Sequence, residues 1–161
     1  MPYPCEIVEQ VKQPTLTVRT RTAVENMPQV LGAAYGEVFG YLGELGMQPA
    51  GMPFTIYYNL DMQDLDIEIG VAVAHPLPGK GAVQPGWLPA GKIAACLYTG
   101  PYSDCEPAYE ELRRFIREQG YEATGVAIEY YFSSPEVPPE ETQTRIVLPL
   151  KSPEMIAAES G

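Results

Sequence analysis

A chain of 161 residues with 45% apolar and 19% charged side chains is long enough for one domain with its own core. No apolar run reaches the roughly 18 residues of a membrane-spanning helix, so no membrane partner is expected. The net charge of −11 repels phosphate backbones, and the basic cluster "RRFIR" at 113–117 reads as a solvated helix face, so direct nucleic-acid contact is not expected.

The start, "MPYPCEIVEQ", has neither a basic stretch nor an apolar core, unlike a secretion signal. Three scattered cysteines, Cys5, Cys96 and Cys105, fit reduced thiols better than a disulfide framework, which makes the cytoplasm the expected location. Residues 6–21 read as an extended segment, with Leu16, Val18 and Thr20 alternating against Thr17, Arg19 and Arg21. The period then changes. Leu31, Ala34, Val38, Tyr41, Leu42 and Leu45 predict a helix over 27–45, with Asn26 as N-cap and Gly46 as stop. Gly32, Gly36 and Gly40 line one face of it, each costing about 1 kcal/mol relative to Ala. Such a face permits a backbone or a protein partner to come close, including a second copy of the chain; simple tolerance in a packed helix is the alternative.

Strands follow at 53–60 and 65–74, joined by the turn "DMQD". The Pro- and Gly-rich stretch 75–91 is expected to be a connector rather than an element. After it come a strand at 92–100 and a helix with the stripe Ala108, Leu112, Phe115 and Ile116. Ser103 and Glu106 have capping-box spacing, and Gly120 ends that helix. Strands at 126–133 and 144–150 complete the pattern, and 151–161 is expected to fray.

The halves repeat: "ELGMQPAGMPFTIYY" at 44–58 matches "EQGYEATGVAIEYY" at 118–131 with one extra residue in the first. The expected fold is α+β: duplicated strand–helix–strand–strand modules, about 5–74 and 92–150, in one domain over 1–150. Their antiparallel sheet would carry both helices on one face and a ligand groove on the other.

The stretches "LPAGKIAACLYTGPYSD", "AYEELRRFIREQG" and "IEYYFSSPEVPPEETQTRIVLPL" occur in this order and together resemble the GyrI-like domain, or AraC-type effector-binding domain. The resemblance implies a tandem module that binds small molecules in an aromatic groove with an acidic residue at its base, which here falls on Glu129. Relatives of this kind include ligand-binding halves of multidrug-sensing regulators, stand-alone toxin-protecting proteins and gyrase-inhibitor relatives. No helix-turn-helix segment precedes the module in this sequence.

Alternation puts Ala127, Glu129, Tyr131 and Ser133 on one strand face and Val126, Ile128, Tyr130 and Phe132 on the other. The uniformly apolar set is expected to pack on the helices, leaving Glu129 in the groove. There a carboxylate among tyrosines suits a cation, by charge pairing and cation–π contact, or acts as a general acid or base. The bland alternative is a Glu on a wet face or hydrogen-bonded to a tyrosine. Candidate ligand contacts are Tyr131, Tyr57, Tyr58, Tyr98 and Tyr35, with Trp87 as a lid and Tyr102 orienting the turn before the second helix. Core packing explains each tyrosine equally well.

His75 stands alone, so no triad can form, and no metal spacing or cofactor motif is present. Three functions follow as expectations: binding, and sequestration, of an apolar or cationic drug-like compound; hydrolysis of a strained, cyclopropane-type alkylating compound by Glu129; or inhibition of a topoisomerase-like protein partner.

Overall fold

The computed structural model describes residues 4–101, 104–132, 138–153 and 156. In chain order its main elements are β1 (Cys5–Gln10), β2 (Gln13–Thr22), α1 (Met27–Leu45), β3 (Phe54–Tyr57), β4 (Leu65–Ala72), β5 (Val83–Leu88), β6 (Gly91–Thr99), α2 (Glu106–Glu118), β7 (Ala127–Tyr131) and β8 (Gln143–Pro149). The fold is α+β, and every strand pairing described below is antiparallel. Among the described residues no helix is long and apolar enough to cross a membrane. The chain forms two compact units, Val11–Pro89 and Met1–Gln10 with Ala90–Gly161.

In the first unit the strands run β3-β4-β2-β5. Alternation on β2 and β4 sends Leu16, Val18, Ile67, Ile69 and Val71 to one face, where Ala34, Val38, Tyr41 and Leu42 of α1 meet them in a single buried cluster. Gly46 ends α1 at φ +67°, a conformation side-chain-bearing residues rarely adopt. Asn26 occupies the N-cap position, without a side-chain hydrogen bond to the helix. The other sheet face carries a polar cluster beside the buried Phe54 and Ile56: Arg19 pairs with Asp66 at 2.7 Å, and Glu68 accepts hydrogen bonds from Thr17 and Tyr58 at 2.5 Å each.

Two expectations about this region are corrected. Residues 75–91 are not a plain connector, because β5 within them pairs with β2 from Val83↔Val18 to Leu88↔Gln13. Pro85 is accommodated because β5 is the outer strand of its unit, where a missing amide donor breaks no second ladder. The segment 6–21 is not one strand either. It breaks at Val11 and Lys12, and β1 joins the second unit.

That second unit runs β1-β6-β8-β7. The register aligns Cys5, Cys96, Ile146 and Glu129 in one row across the four strands, and Tyr98, Thr144 and Tyr131 in the next. Helix α2 covers this face. Cys96 Sγ lies 4.0 Å from the Ala108 carbonyl oxygen, and Ala108, Tyr109, Leu112 and Ile116 are buried. Phe115, expected in the helix stripe, is only half-buried, and Tyr109 holds a core position instead. Ser103, the expected capping residue, lies outside the described residues, and Cys105 occupies the N-cap position.

Candidate ligand-binding site

Glu129 sits in the middle of β7 and is 9% exposed, a rare position for a carboxylate. The expectation that its strand face points away from the helices is reversed: Tyr109 on α2 donates its hydroxyl hydrogen to Glu129 Oε2. The physical reason lies in the rest of the sheet. Ile128, Val147, Ile93 and Ala95 on the opposite face are buried as fully as Ile146 and Ala94 on the helix side, so hydrophobicity does not distinguish the two faces.

The second carboxylate oxygen is held by the neighbouring strand position. Tyr131, two residues on and on the same face, donates to Glu129 Oε1 at 3.3 Å. Two phenols therefore orient one buried carboxylate from two elements. One turn along α2 from Tyr109, the Arg113 guanidinium lies 5.3 Å from the Tyr109 ring centre, fixing the ring by a cation–π contact. Cys105, at the start of α2, feels the same carboxylate: burial first, and then the charge of Glu129, pushes its thiol up from 9.0 to about 11.

Tyr98 and Thr144 occupy the adjoining row. Tyr98 folds back and donates to the Pro101 carbonyl at 2.6 Å. The ring passes so close to residue 100 that a Cβ there would lie 2.8 Å from its hydroxyl, and Gly100 also has φ +145°. The Gly-Pro pair is thus what allows Tyr98 to close over the turn. Thr144, between Tyr98 and Tyr131, buries its hydroxyl with no hydrogen-bond partner among the described residues.

Of the residues expected at the site, Glu129, Tyr131 and Tyr98 come together on one face of one unit. Tyr35, Tyr57, Tyr58 and Trp87 belong to the other unit. Tyr35 donates to the Phe54 carbonyl at 2.8 Å, and Tyr57 packs half-buried against the α1 cluster. Tyr58 binds Glu68 beneath the Arg19 guanidinium, which lies 3.9 Å from its ring centre; burial and then Glu68 push its phenol strongly up. Trp87 is 51% exposed, with Lys12 Nζ 4.5 Å from a ring centre. Tyr102 and Ser133 lie outside the described residues.

Tyr109 was not anticipated, yet the sequence carries a signal for it. Ala34-Tyr35, Val38, Leu42 and Gly46 repeat at identical spacing as Ala108-Tyr109, Leu112, Ile116 and Gly120. Thr55↔Ile69 lies on the helix face of the first unit as Glu129↔Ile146 does in the second, which puts Tyr57 and Tyr131 each on the helix face of its own unit.

Over residues 3–151 the sequence matches the family described as GyrI-like small molecule binding domain. The chain belongs to this family. Among solved structures, this GyrI-like chain is similar to EcmrR in a cryo-EM EcmrR–DNA complex, with TM-score 0.81 and 19% identity over 94% of this chain. The match spans 59% of the EcmrR chain. A hydrolase from Listeria innocua has TM-score 0.67 at 14% identity, covering 91% of each chain. SAV2435 bound to tetraphenylphosphonium has TM-score 0.63 at 13% identity, covering 94% of this chain and 96% of that one. At these identities the likeness is one of fold. No curated protein matches the sequence.

Proposed function

We propose that this GyrI-like domain binds, and thereby sequesters, lipophilic cations of a drug-like kind, with Glu129 as their counter-charge and Tyr131 and Tyr98 beside it. The observation that carries this reading is Glu129 itself, a carboxylate 9% exposed and oriented by the Tyr109 and Tyr131 hydroxyls. A carboxylate set among tyrosine rings draws a lipophilic cation by charge pairing and by cation–π contact with the phenols. The long-range field of a chain with net charge −11 favours cations in the same sense. The similar protein SAV2435 is described with tetraphenylphosphonium, a lipophilic cation. The common strand–helix–strand–strand order and the matching helix spacing support a duplicated module as the origin of the fold.

Titration calorimetry with tetraphenylphosphonium on the wild type and Glu129→Gln tests the reading. Removing the charge while keeping the shape should weaken binding about tenfold, or about 1.4 kcal/mol, and leave neutral triphenylphosphine oxide nearly unaffected. Equal affinity of both proteins for the cation overturns it. A second reading, hydrolysis of strained alkylating compounds, draws on the similar protein named a hydrolase and on the carboxylate's two phenol partners. In that case Glu129→Gln abolishes turnover of a cyclopropane-type alkylator and keeps binding.

A further inference from the structure

We propose that Cys5 and Cys96 form an oxidation site at which a hydroperoxide closes a disulfide between β1 and β6. The two residues are register partners on adjacent antiparallel strands, both on the face beneath α2. Each thiol lies close enough to influence the other's ionisation, and neither cysteine is in a disulfide. Directly opposed residues of an antiparallel pair have Cα atoms about 4.5–5.5 Å apart, within the range of about 4.4–6.8 Å that disulfides span. The bond therefore forms by side-chain rotation, with the strands in place.

Access is unequal, which orders the chemistry. Cys5 is half-buried on the outer strand β1, whereas Cys96 is buried. The Cys5 sulfur attacks one oxygen of the hydroperoxide; the O–O bond breaks, an alcohol leaves, and Cys5 becomes a sulfenic acid. The Cys96 sulfur then displaces that hydroxyl as water, forming the S–S bond. Two thiols lose two electrons, the peroxide gains them, and the two thiol protons leave in the alcohol and the water.

The charged groups facing Cys5 are Glu111 and Arg114 of α2, which act in opposite directions on its thiolate and are bonded to each other at 2.6 Å. Burial keeps both thiols protonated, with Cys96 pushed up to about 12, so the pair responds slowly, to sustained rather than brief oxidant exposure. Closure ties the first strand of the chain to the sheet that carries Glu129. It also engages the sulfur that touches the Ala108 carbonyl, one residue before Tyr109.

The test treats the full chain with tert-butyl hydroperoxide, alkylates the remaining thiols, and maps peptides by mass spectrometry without reductant. The expected product is an intramolecular Cys5–Cys96 peptide lighter by two hydrogens, with Cys105 alkylated and dithiothreitol restoring both thiols. Cys5→Ser and Cys96→Ser should each abolish it. Hydrogen exchange of β1 amides should slow in the oxidised protein, since the strand can no longer open independently. Sulfinic acid at Cys5 without the cross-link, a cross-link through Cys105, or unchanged β1 exchange after cross-linking each overturns the proposal.

Discussion

Tyr109 shapes the environment of Glu129 from the helix side, and its removal separates two roles the carboxylate can play. Tyr109→Phe keeps the ring and the Arg113 contact but deletes the buried donor to Oε2. Losing that bond should lower stability by about 1–3 kcal/mol in urea unfolding. Tetraphenylphosphonium affinity should hold or rise, because the carboxylate has lost a competing donor. If the affinity falls as far as in Glu129→Gln, the phenol itself contacts the ligand. Cys105 offers a second, independent reading of the same charge. Burial and Glu129 hold its thiol up at about 11, so the neutral form is favoured in the folded state. As pH rises from 9.0 toward 11 the unfolded chain loses this proton first, and the thiol's contribution to stability declines across that window and is complete below it. In Glu129→Gln the midpoint for Cys105 alkylation by iodoacetamide should fall yet stay above 9.0, since burial, the larger cause, is unchanged. A midpoint equal to that of the wild type would place the charge of Glu129 out of reach of the thiol.

At the scale of elements, α1 and α2 have the same spacing of core residues and different outer faces. Gly32, Gly36 and Gly40 of α1 are exposed, and a Cβ built at any of them meets nothing within 4 Å. Helix propensity then acts without steric opposition, so Gly36→Ala should raise stability by about 0.5–1 kcal/mol in chemical denaturation. A loss instead would mean that the smooth face is covered in solution. Both helices were legible from periodicity, because a 3.6-residue stripe with a glycine stop has few competing readings. β5 was not: "VQPGWL" carries Pro and Gly, which signal a loop unless the strand is known to lie on an edge. The facing of Glu129 was hidden for another reason. On β7 and β8 both faces bury apolar residues, Ala127 and Ile146 on the helix side and Ile128 and Val147 on the other, so a period of two locates the strand without telling which side the helix covers. The carboxylate itself was legible as an anomaly in an apolar run; its phenol partner on α2 needed the repeat between the two helices.

Across the whole chain, the halves exchange their leading strands. β1 immediately precedes β2 yet pairs with β6, and β5 immediately precedes β6 yet pairs with β2. Each unit is therefore completed by a strand that sequence adjacency assigns to the other, which is why a boundary drawn through 75–91 divides the chain differently from its contacts. This has a measurable consequence. Deleting residues 1–10 strips β1 from β6 and uncovers one side of the row Cys96, Ile146 and Glu129. The buried cluster of the first unit keeps all its residues, since Leu16, Val38, Ile67, Ile69, Val71 and their neighbours in it include none from β1. Hydrogen exchange should therefore accelerate in β6 and β8 and stay slow in β2 and β4, with opening free energies that differ between the units. Uniform acceleration throughout would mean that the two cores unfold as one cooperative block, and unchanged exchange in β6 would mean that its ladder to β8 suffices without β1.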